Sequence, residues 1–285
     1  MHIHRRAFVL AATSLICTPP GFAADTPLAA LEAQAGGRLG VAALDASTGH
    51  SLTWRANERF PMCSTFKLLA VAAILHNVDI GSERLDRWVE YGQTDLLAYA
   101  PVTKANAAKG GMTVALLCAA AIEFSDNTAA NLLLAALGGP AGVTSYARQI
   151  GDTVTRLDRT EPTLNTAIPG DPRDTTTPAA MLADLNAVTQ TRALSETSRS
   201  MLKTWLSNCQ TAASKIPAGL PPTWTSGNKT GSGDHGTVND VAIVNAPGRA
   251  PMFIAAYYTG STAPPATRDD VLASVGQIVA QAFSG

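Results

Sequence analysis

The chain has 285 residues, of which 46% are hydrophobic and 15% are charged. This composition is typical of a globular protein that buries a sizeable core, and it excludes a largely disordered chain. The formal net charge is only -1, so the chain lacks the excess of basic residues that binding to nucleic acid or to an anionic membrane requires. We therefore expect neither kind of partner.

The first residues predict an export signal. Arg5 and Arg6 precede an apolar run over 7–17, and prolines and small residues follow it, which is the pattern of a cleaved secretory signal peptide. Paired arginines occur both in ordinary signal peptides and in twin-arginine signals, so both export routes stay open. We predict a signal peptide over 1–24 and a periplasmic or secreted product. Cleavage changes the net charge to -3, and no later apolar run is long enough to cross a bilayer.

The cysteines and histidines give no sign of a metal site. After processing, the cysteines that remain are Cys63, Cys118 and Cys209, and this odd number leaves at least one thiol free. Cys118 lies in an apolar stretch and is expected to be a small buried side chain. The histidines occur singly, without the spacing of metal ligands. We therefore predict neither a metal nor another cofactor.

The first third of the mature chain predicts a short helix, a hairpin and a buried helix. A threonine and a glycine mark the ends of a helix over 27–35. Strands are expected at 38–45 and 51–55, joined by a turn-rich interval. The next helix, from 65 to about 76, is apolar on most sides, so we expect it at the centre of the protein.

The middle of the chain predicts helices interrupted by one long loop. The helices are expected at 113–123, 127–137, 143–150, 178–188 and 195–205. The interval 156–174 contains three prolines, one glycine and seven charged residues, which predicts an irregular surface loop. Loops of this length without secondary structure are uncommon and are often functional.

The last third predicts three strands and a final helix. The strands are expected at 222–230, 237–246 and 251–259, separated by glycine and proline turns. An amphipathic helix over 267–283 would begin with Thr267 as its N-cap, and Asp269 and Asp270 would lie in its first turn.

These elements predict an α/β fold. An antiparallel sheet built from both chain ends and flanked by helices would pack against an all-helical domain. We place the α/β domain at 25–62 and 207–285 and the helical domain at 63–206. A site is expected between the two, because binding sites often lie at such boundaries.

A serine and a lysine at the start of the central helix could form an activated nucleophile. Ser64 and Lys67 are three residues apart, so their side chains would share one helix face. A serine hydroxyl needs a nearby base, and the first N–H groups of a helix could stabilise an oxyanion. A plain N-cap followed by a solvated lysine is the simpler interpretation. Ser200 and Lys203 have the same spacing in an ordinary amphipathic stretch, so the pattern alone does not establish catalysis.

Four short motifs occur in order along the chain: Ser64-Thr65-Phe66-Lys67, Ser125-Asp126-Asn127, Glu161-Pro162-Thr163-Leu164-Asn165 and Lys229-Thr230-Gly231. The first, second and fourth together are the signature of penicillin-recognising serine enzymes. The chain resembles the class A serine β-lactamases along essentially its whole mature length, including the runs at 99–103 and 237–240. The resemblance implies a fold like that of serine β-lactamases and penicillin-binding proteins. It also implies hydrolysis of the β-lactam ring of penicillins and cephalosporins, hence resistance to them, through an acyl-enzyme.

The resemblance assigns the residues that form the acyl-enzyme. Ser64 would be the nucleophile, and Lys67 would be a base whose pKa burial and the nearby Lys229 lower. Ser125, hydrogen-bonded to Lys229, would pass a proton to the lactam nitrogen, although by itself Ser125 is equally explained as a helix N-cap. The proton of the Ser64 hydroxyl group could go to Lys67 or to a water bound by Glu161, and this alternative stays open.

The resemblance also assigns the residues that release the product. Glu161 and Asn165 would hold the water that hydrolyses the acyl-enzyme, whereas a lone glutamate here would be interpreted as a solvated loop residue. The peptide bond between Glu161 and Pro162 is expected to be cis, an isomer that proline tolerates. Arg159 and Asp174 would form an ion pair that closes the loop.

Six residues are implied in substrate binding: Tyr99, Asn127, Thr230, Gly231, Ser232 and Thr237. The backbone N–H groups of Ser64 and Ser232 would form the oxyanion hole. The hydroxyl groups of Thr230, Ser232 and Thr237 would bind the substrate carboxylate, and Asn127 would hold the side-chain amide of the substrate. Tyr99 would line the opposite wall, although an aromatic residue in such a loop could equally be a packing residue.

Two departures from the family pattern concern specificity. Cys63 resembles a cysteine that some carbapenem-hydrolysing relatives pair with one beyond Lys-Thr-Gly, but Gly233 stands there, so we predict no disulfide. Val238 occupies a usual position of the cation near the substrate carboxylate, which leaves Lys215 or Arg268 as candidates. The run 229–234 resembles that of relatives active on extended-spectrum cephalosporins.

Three other functions must be weighed against a β-lactamase. A related penicillin-binding peptidase would release its acyl-enzyme slowly, and the Glu161 and Asn165 pair argues against it. An exported β-lactam sensor would remain acylated, but it should carry a membrane anchor. A structural domain would require all four motifs to be coincidental. We therefore predict a monomeric enzyme whose partner is a small-molecule β-lactam.

Overall fold

The computed structural model describes residues 26–284, so the predicted signal peptide lies outside the described residues. The strands are β1 (Arg38–Asp45), β2 (Ser51–Trp54), β3 (Phe60–Pro61), β4 (Trp88–Glu90), β5 (Gly111–Thr113), β6 (Thr175–Thr176), β7 (Thr225–Gly233), β8 (Thr237–Asn245) and β9 (Met252–Thr259). Five of them form one antiparallel sheet in the order β2-β1-β9-β8-β7. The prediction of a sheet made from both chain ends is confirmed.

The predicted helices are present, with ends that differ by a few residues. They are α1 (Pro27–Ala35), α2 (Lys67–Asp79), α4 (Val114–Glu123), α5 (Asn127–Ala136), α6 (Pro140–Gln149), α7 (Pro178–Gln190), α8 (Glu196–Ser207) and α9 (Pro265–Phe283), and a short helix that was not predicted, α3 (Pro101–Asn106), precedes α4. The middle of the chain is not wholly helical, because β4 pairs with β5 there and β6 pairs with β3. The division into two domains after 62 and 206 stays a prediction. Within the described residues, no helix is long and apolar enough to span a membrane.

The start of α9 differs from the prediction. The helix begins at Pro265, with Pro264 in the N-cap position, so Thr267 is not the N-cap. Asp269 and Asp270 consequently lie beyond the first turn. Proline suits the first helical position, because its fixed φ is helical and it has no N–H to leave unpaired. Because of Pro265, the helix therefore begins two residues before the predicted start at 267.

The two faces of the sheet pack against different helices. Val241 and Ala255 are paired across β8 and β9, and both belong to the apolar core formed with the helical middle of the chain. Ala242 and Ile254 are the next pair, and both belong to a second core that includes residues of α1 and α9. Because side chains alternate across a strand, each central strand is apolar on both faces.

Helix α2 lies in the larger of these cores, as predicted. Every residue from 67 to 75 is buried, with no more than 3% of its surface exposed. A helix that is apolar on all sides is stable only when other elements surround it. Its first residue, Lys67, is 0% exposed, so the fold places an ammonium group in the interior of the protein.

The interval 156–174 is an irregular loop apart from a short 3₁₀ turn at Thr163–Thr166. The predicted ion pair closes it, with Arg159 Nε 2.5 Å from Asp174 Oδ2. The other carboxylate oxygen of Asp174 accepts hydrogen bonds from the backbone N–H groups of Asp158 and Arg159. The peptide bond before Pro162 is cis, as predicted. The loop is therefore held at its neck by charge and by backbone contacts.

Candidate active site

Ser64 lies in a 3₁₀ turn, Cys63–Phe66, that leads directly into α2. Its side chain does not cap the helix, so the simpler N-cap interpretation is wrong. The preceding residue, Cys63, has a φ of 45°, in the left-handed region that costs a non-glycine residue about 1–3 kcal/mol. Such strain persists only where the surrounding structure imposes it, and here it orients the serine.

Two buried side chains meet at the hydroxyl group of Ser64. Its Oγ lies 3.0 Å from Lys67 Nζ and 3.0 Å from Glu161 Oε1. The same carboxylate oxygen is 3.0 Å from Lys67 Nζ. The side chains of Lys67 and Glu161 are both 0% exposed, so water does not screen this ion pair. Either group can accept the proton of the hydroxyl.

Lys67 has more acceptors than its three donors can satisfy at once. Besides Ser64 and Glu161, its Nζ lies 2.6 Å from Asn127 Oδ1, 2.8 Å from the carbonyl oxygen of Ser125 and 3.5 Å from Ser125 Oγ. Burial lowers the pKa of Lys67, and the charge of Glu161 opposes this effect. Burial, rather than Lys229, is therefore the main cause of the lowered pKa.

Ser125 connects the two lysines of the site. Its Oγ accepts a hydrogen bond from Lys229 Nζ at 3.0 Å, and Lys229 also donates to the carbonyl oxygen of Thr230. Burial, with a further contribution from the charge of Lys67, lowers the pKa of Lys229 to about 7. The N-cap of α5 is Asp126, not Ser125, whose φ of 58° places it before the helix. The hydroxyl group of Ser125 is therefore free of a capping role.

Glu161 is fixed at both its side chain and its backbone. Asn165 Nδ2 donates to Glu161 Oε2 at 2.5 Å, which confirms that these two residues are adjacent. The side chain of Asn131 bonds both the N–H and the carbonyl oxygen of Glu161, at 3.0 and 2.9 Å. Asn131 was not predicted, although its position four residues after Asn127 puts it on the same face of α5. This side chain ties the loop to the helical part of the fold.

Strand β7 runs directly beside the turn that carries the nucleophile. A Cβ on Gly231 would lie 2.7 Å from the carbonyl oxygen of Met62 and 3.2 Å from the backbone nitrogen of Ser64. Only glycine allows this approach without displacing the turn. The side chain of Asn239 on β8 also donates to the carbonyl oxygen of Met62, at 3.0 Å. The backbone N–H of Ser64 therefore faces a strand that is held at close range.

A cleft of about 360 Å³ opens onto these groups. It is lined by Ser64, Tyr99, Ser125, Asn127, Asn165, Thr211, Lys215, Thr230, Gly231 and Ser232. Lys67, Glu161 and Lys229 lie buried beneath it. Thr211 was not predicted, and its Oγ1 lies 2.5 Å from Thr230 Oγ1. No motif signalled this residue.

Thr237 does not line the cleft. It is 1% exposed, and its Oγ1 lies 2.7 Å from that of Thr259. Thr237 is paired with Gly233 at the end of the β7–β8 hairpin. Its hydroxyl group forms a hydrogen bond to the neighbouring strand β9. The prediction that this side chain binds the substrate carboxylate does not agree with its position.

Of the two candidate cations, Lys215 reaches the cleft and Arg268 does not. Lys215 is 8% exposed, and its Nζ lies 3.0 Å from Asp269 Oδ2 and 3.3 Å from the carbonyl oxygen of Thr211. Two of the three N–H donors of this ammonium group are thus used by these fixed acceptors, and their positions set the direction of the third donor. Tyr99, at the rim, is 50% exposed, and its hydroxyl group donates to the carbonyl oxygen of Phe124.

Cys63 is a free, buried thiol, as predicted, and Cys118 and Cys209 are also free. Burial raises the pKa of the Cys63 thiol, and the charge of Glu161 adds to this effect. A Cβ at Gly233 would lie 2.6 Å from Cys63 Sγ and 2.6 Å from the carbonyl oxygen of Asn165. The glycine therefore lets the strand, the thiol and the loop pack together without a disulfide.

The site and the fold match one family throughout. The model of the β-lactamase enzyme family matches residues 23–283. The β-lactamase CTX-M-8 of Citrobacter amalonaticus is 51% identical over 256 residues, which cover 90% of this chain and 88% of that protein. The β-lactamase Toho-1 of Escherichia coli is 48% identical over the same shares.

Solved structures agree with these sequence matches. An ancestral class A β-lactamase superimposes with a TM-score of 0.88 at 57% identity, covering 90% of this chain and 98% of that one. A putative class A β-lactamase from Rhodopseudomonas palustris gives a TM-score of 0.88 at 51% identity, with the same coverage. The four motifs, the buried lysine and glutamate at the serine, and these matches agree, and the chain belongs to the class A serine β-lactamases.

Proposed function

We propose that the protein hydrolyses penicillins and cephalosporins through an acyl-enzyme on Ser64, which a water activated by Glu161 then releases. The observation that carries this proposal is the position of Glu161 Oε1, 3.0 Å from Ser64 Oγ and buried. A carboxylate at this distance can act on a water that attacks an ester formed on the same oxygen. It distinguishes an enzyme that turns over from a protein that β-lactams only acylate.

Acylation begins when Ser64 Oγ attacks the lactam carbonyl carbon. Lys67 Nζ and Glu161 Oε1 are both 3.0 Å from this oxygen. Both residues remain candidates for the base that takes the proton of the Ser64 hydroxyl group, and Glu161 would do so through a bound water. The backbone N–H groups of Ser64 and Ser232 would stabilise the oxyanion, a contribution of about 3–4 kcal/mol per donor.

The amide nitrogen that leaves must be protonated. Ser125 Oγ lines the cleft and accepts from Lys229 at 3.0 Å, so Ser125 can give its proton to the nitrogen and regain one from a lysine. A pKa of about 7 suits Lys229 to this exchange, because proton transfer is most efficient when the pKa lies near the working pH.

The cleft offers three groups to the substrate carboxylate. The hydroxyl groups of Thr230 and Ser232 and the ammonium group of Lys215 all line it. We assign the cation to Lys215 rather than Arg268, and we leave Thr237 out of this group. Asn127 and Tyr99 would contact the side chain of the substrate. The run 229–234 supports activity on extended-spectrum cephalosporins as well.

A penicillin-binding peptidase and a β-lactam sensor are distinguished from this function by turnover. Purified mature protein is mixed with a chromogenic cephalosporin in large excess. We expect hydrolysis of many equivalents, whereas a burst of one equivalent would contradict the proposal and favour a protein that stays acylated.

Variants then test the assigned roles. Glu161→Ala should accumulate an acyl-enzyme, seen by mass spectrometry as an adduct on Ser64, because deacylation loses its base. Ser64→Ala should give no adduct. Ser200→Ala and Lys203→Ala are matched controls, because these residues have the same spacing on α8, and both variants should hydrolyse the substrate normally. Normal turnover by Glu161→Ala would refute the deacylation role.

The expected setting of the enzyme follows from its N-terminal sequence. An export signal over 1–24 supports a periplasmic or secreted location, and we further propose a monomer that contacts neither nucleic acid nor membrane after processing. Cell fractionation tests the location, and light scattering on the purified protein tests the oligomeric state. Retention in the cytoplasm, or a mass of two chains, would contradict these two statements.

A further inference from the structure

A second cavity lies behind the loop that carries Glu161. It has a volume of about 660 Å³ and is enclosed by the outer part of the loop, the start of β1 and the end of β9. It shares no lining residue with the substrate cleft. Its volume falls in the range of about 300–1,000 Å³ that is typical of sites for small organic ligands.

Charged side chains line this cavity unevenly. They are Arg38, Glu58, Arg59, Arg159, Asp171 and Arg173, and with Asp174, which pairs with Arg159 from outside the lining, positive charge exceeds negative charge by one in a chain whose net charge is -1. Three of the arginines have carboxylate partners at 2.5 to 3.2 Å: Arg38 with Glu58, Arg159 with Asp174 and Arg173 with Asp171. The local field therefore favours an anion.

Arg59 is the exception among these arginines. Within residues 26–284, it forms no ion pair, and its side chain makes one hydrogen bond, from Nη1 to Thr175 Oγ1 at 2.9 Å. A guanidinium group has five N–H donors in a planar fork that matches a carboxylate or a sulfonate. Most of the donors of Arg59 are available to a ligand.

Part of the loop side of the cavity is apolar. Leu164, Ala167, Ile168 and Pro169 all contribute to the lining. Ile168 is 47% exposed, one of few large apolar side chains in the described chain with so much surface in water. An apolar wall opposite a single unpaired cation suits a ligand with both characters, because covering the exposed side chains of Ile168 and Pro169 releases water while the cation holds the charge.

We propose that this cavity is a binding site for a small amphipathic organic monoanion, with Arg59 holding the carboxylate or sulfonate and the loop residues covering an aromatic ring. The site is distinct from the substrate cleft, and it acts on the same loop. Arg159 and Leu164 line the cavity and flank Glu161 in the chain, so an occupant packs against the segment that positions the deacylating carboxylate. A ligand held there stabilises the loop in the arrangement of this structure.

The test uses 1-naphthalenesulfonate as the probe and calorimetric titration as the measurement. The wild-type protein should bind the probe, and Arg59→Gln should weaken binding at least about tenfold, the usual effect of losing one charge-assisted hydrogen bond. Arg84→Gln removes an exposed arginine from another surface cavity, and Lys215→Gln removes the cation of the substrate cleft. Both should bind within about twofold of the wild type.

Two further probes, each lacking one feature of the sulfonate, test whether the site requires an amphipathic ligand. Naphthalene-1-methanol lacks the charge, and inorganic sulfate lacks the ring, so each should bind at least about tenfold more weakly than the sulfonate. Sulfate binding as tight as the sulfonate would show a simple anion site and overturn the proposal. Absence of binding to the wild type would overturn it too.

Hydrogen exchange locates the bound probe. We expect slower exchange of the backbone amides in 167–173 when the probe is bound, and no change at the residues that line the cleft. Protection confined to the cleft, or loss of binding in Lys215→Gln with retention in Arg59→Gln, would place the probe elsewhere and refute the assignment. Ile168→Ser provides a second variant that leaves Arg59 intact, and it should weaken the sulfonate several-fold but not sulfate.

Discussion

Asp184 is a buried carboxyl group of α7 whose ionisation should limit the stability of the protein. It is 2% exposed, and burial together with the charge of Asp152 raises its pKa to about 9. No N–H or O–H group of another described residue donates to its Oδ2, and a protonated Asp184 can itself donate a hydrogen bond to Asp152. The backbone N–H groups of Val154 and Thr155 donate to Asp152 at 2.6 and 3.0 Å and stabilise its charge.

The sign of the pH dependence follows from the two states of the chain. In the unfolded chain this carboxyl group has its ordinary pKa of 3.8, so between pH 3.8 and about 9 the unfolded state binds fewer protons than the folded state. The free energy of unfolding therefore falls as the pH rises, by about 1.4 kcal/mol per unit for one group. From pH 5 to pH 8 the loss reaches about 4 kcal/mol, a large part of a usual stability of about 5–15 kcal/mol.

Asp184→Asn isolates this effect, because asparagine has the same shape, donates through Nδ2 to Asp152 and does not titrate. Urea unfolding of both proteins at pH 5, 6, 7 and 8 should show the variant gaining about 1.4 kcal/mol per pH unit relative to the wild type. Asp86→Asn is the control: Asp86 is an exposed carboxylate paired with Arg84, and its loss should leave the slope unchanged. Parallel pH profiles for the wild type and Asp184→Asn would refute the reasoning.

Four further substitutions test the cleft and the residues that support it. Gly233→Ala puts a Cβ 2.6 Å from the carbonyl oxygen of Asn165, so urea unfolding should show a loss of about 1–3 kcal/mol; unchanged stability would contradict this packing. Asn131→Leu leaves two loop backbone groups unpaired, so it should cost about 2 kcal/mol and let the acyl-enzyme persist in mass spectra; rapid release would contradict it. Lys215→Gln should raise KM for a cephalosporin at least about tenfold and Arg268→Gln should not; equal effects would contradict the choice of cation.

The order of the main elements was predictable because local patterns determine it, whereas most of the site was predicted from the resemblance of four motifs to a known family. The apolar run after Lys67 required a buried helix, and the burial of the lysine followed from its place at the start of that run. Helix starts were less predictable. Asp126 caps α5, whereas Ser125 was one possible cap from the sequence, and a proline starts α9 before Thr267. A cap depends on the backbone angles of one residue, and composition does not specify these angles.

Contacts between distant parts of the chain account for what the sequence did not reveal. Asn131 holds Glu161 across 30 positions, and Thr211 meets Thr230 across 19. Neither residue stands in a motif, because an asparagine or a threonine becomes a site residue only through the fold. Thr237 was wrongly placed for the same reason, since its partner is Thr259 on the neighbouring strand.

The two Ser-x-x-Lys sequences of this chain show what makes the first one reactive. Ser200 is exposed and Lys203 is half-buried on α8, whereas Lys67 is 0% exposed. A lysine with its ordinary pKa of about 10.4 is neutral in only about one molecule in 2,500 at pH 7, and each unit by which the pKa falls raises that share tenfold. Burial in the apolar surroundings of α2 lowers the pKa of Lys67. Reactivity at Ser64 therefore depends on the apolar residues that surround α2 as much as on the serine and the lysine themselves.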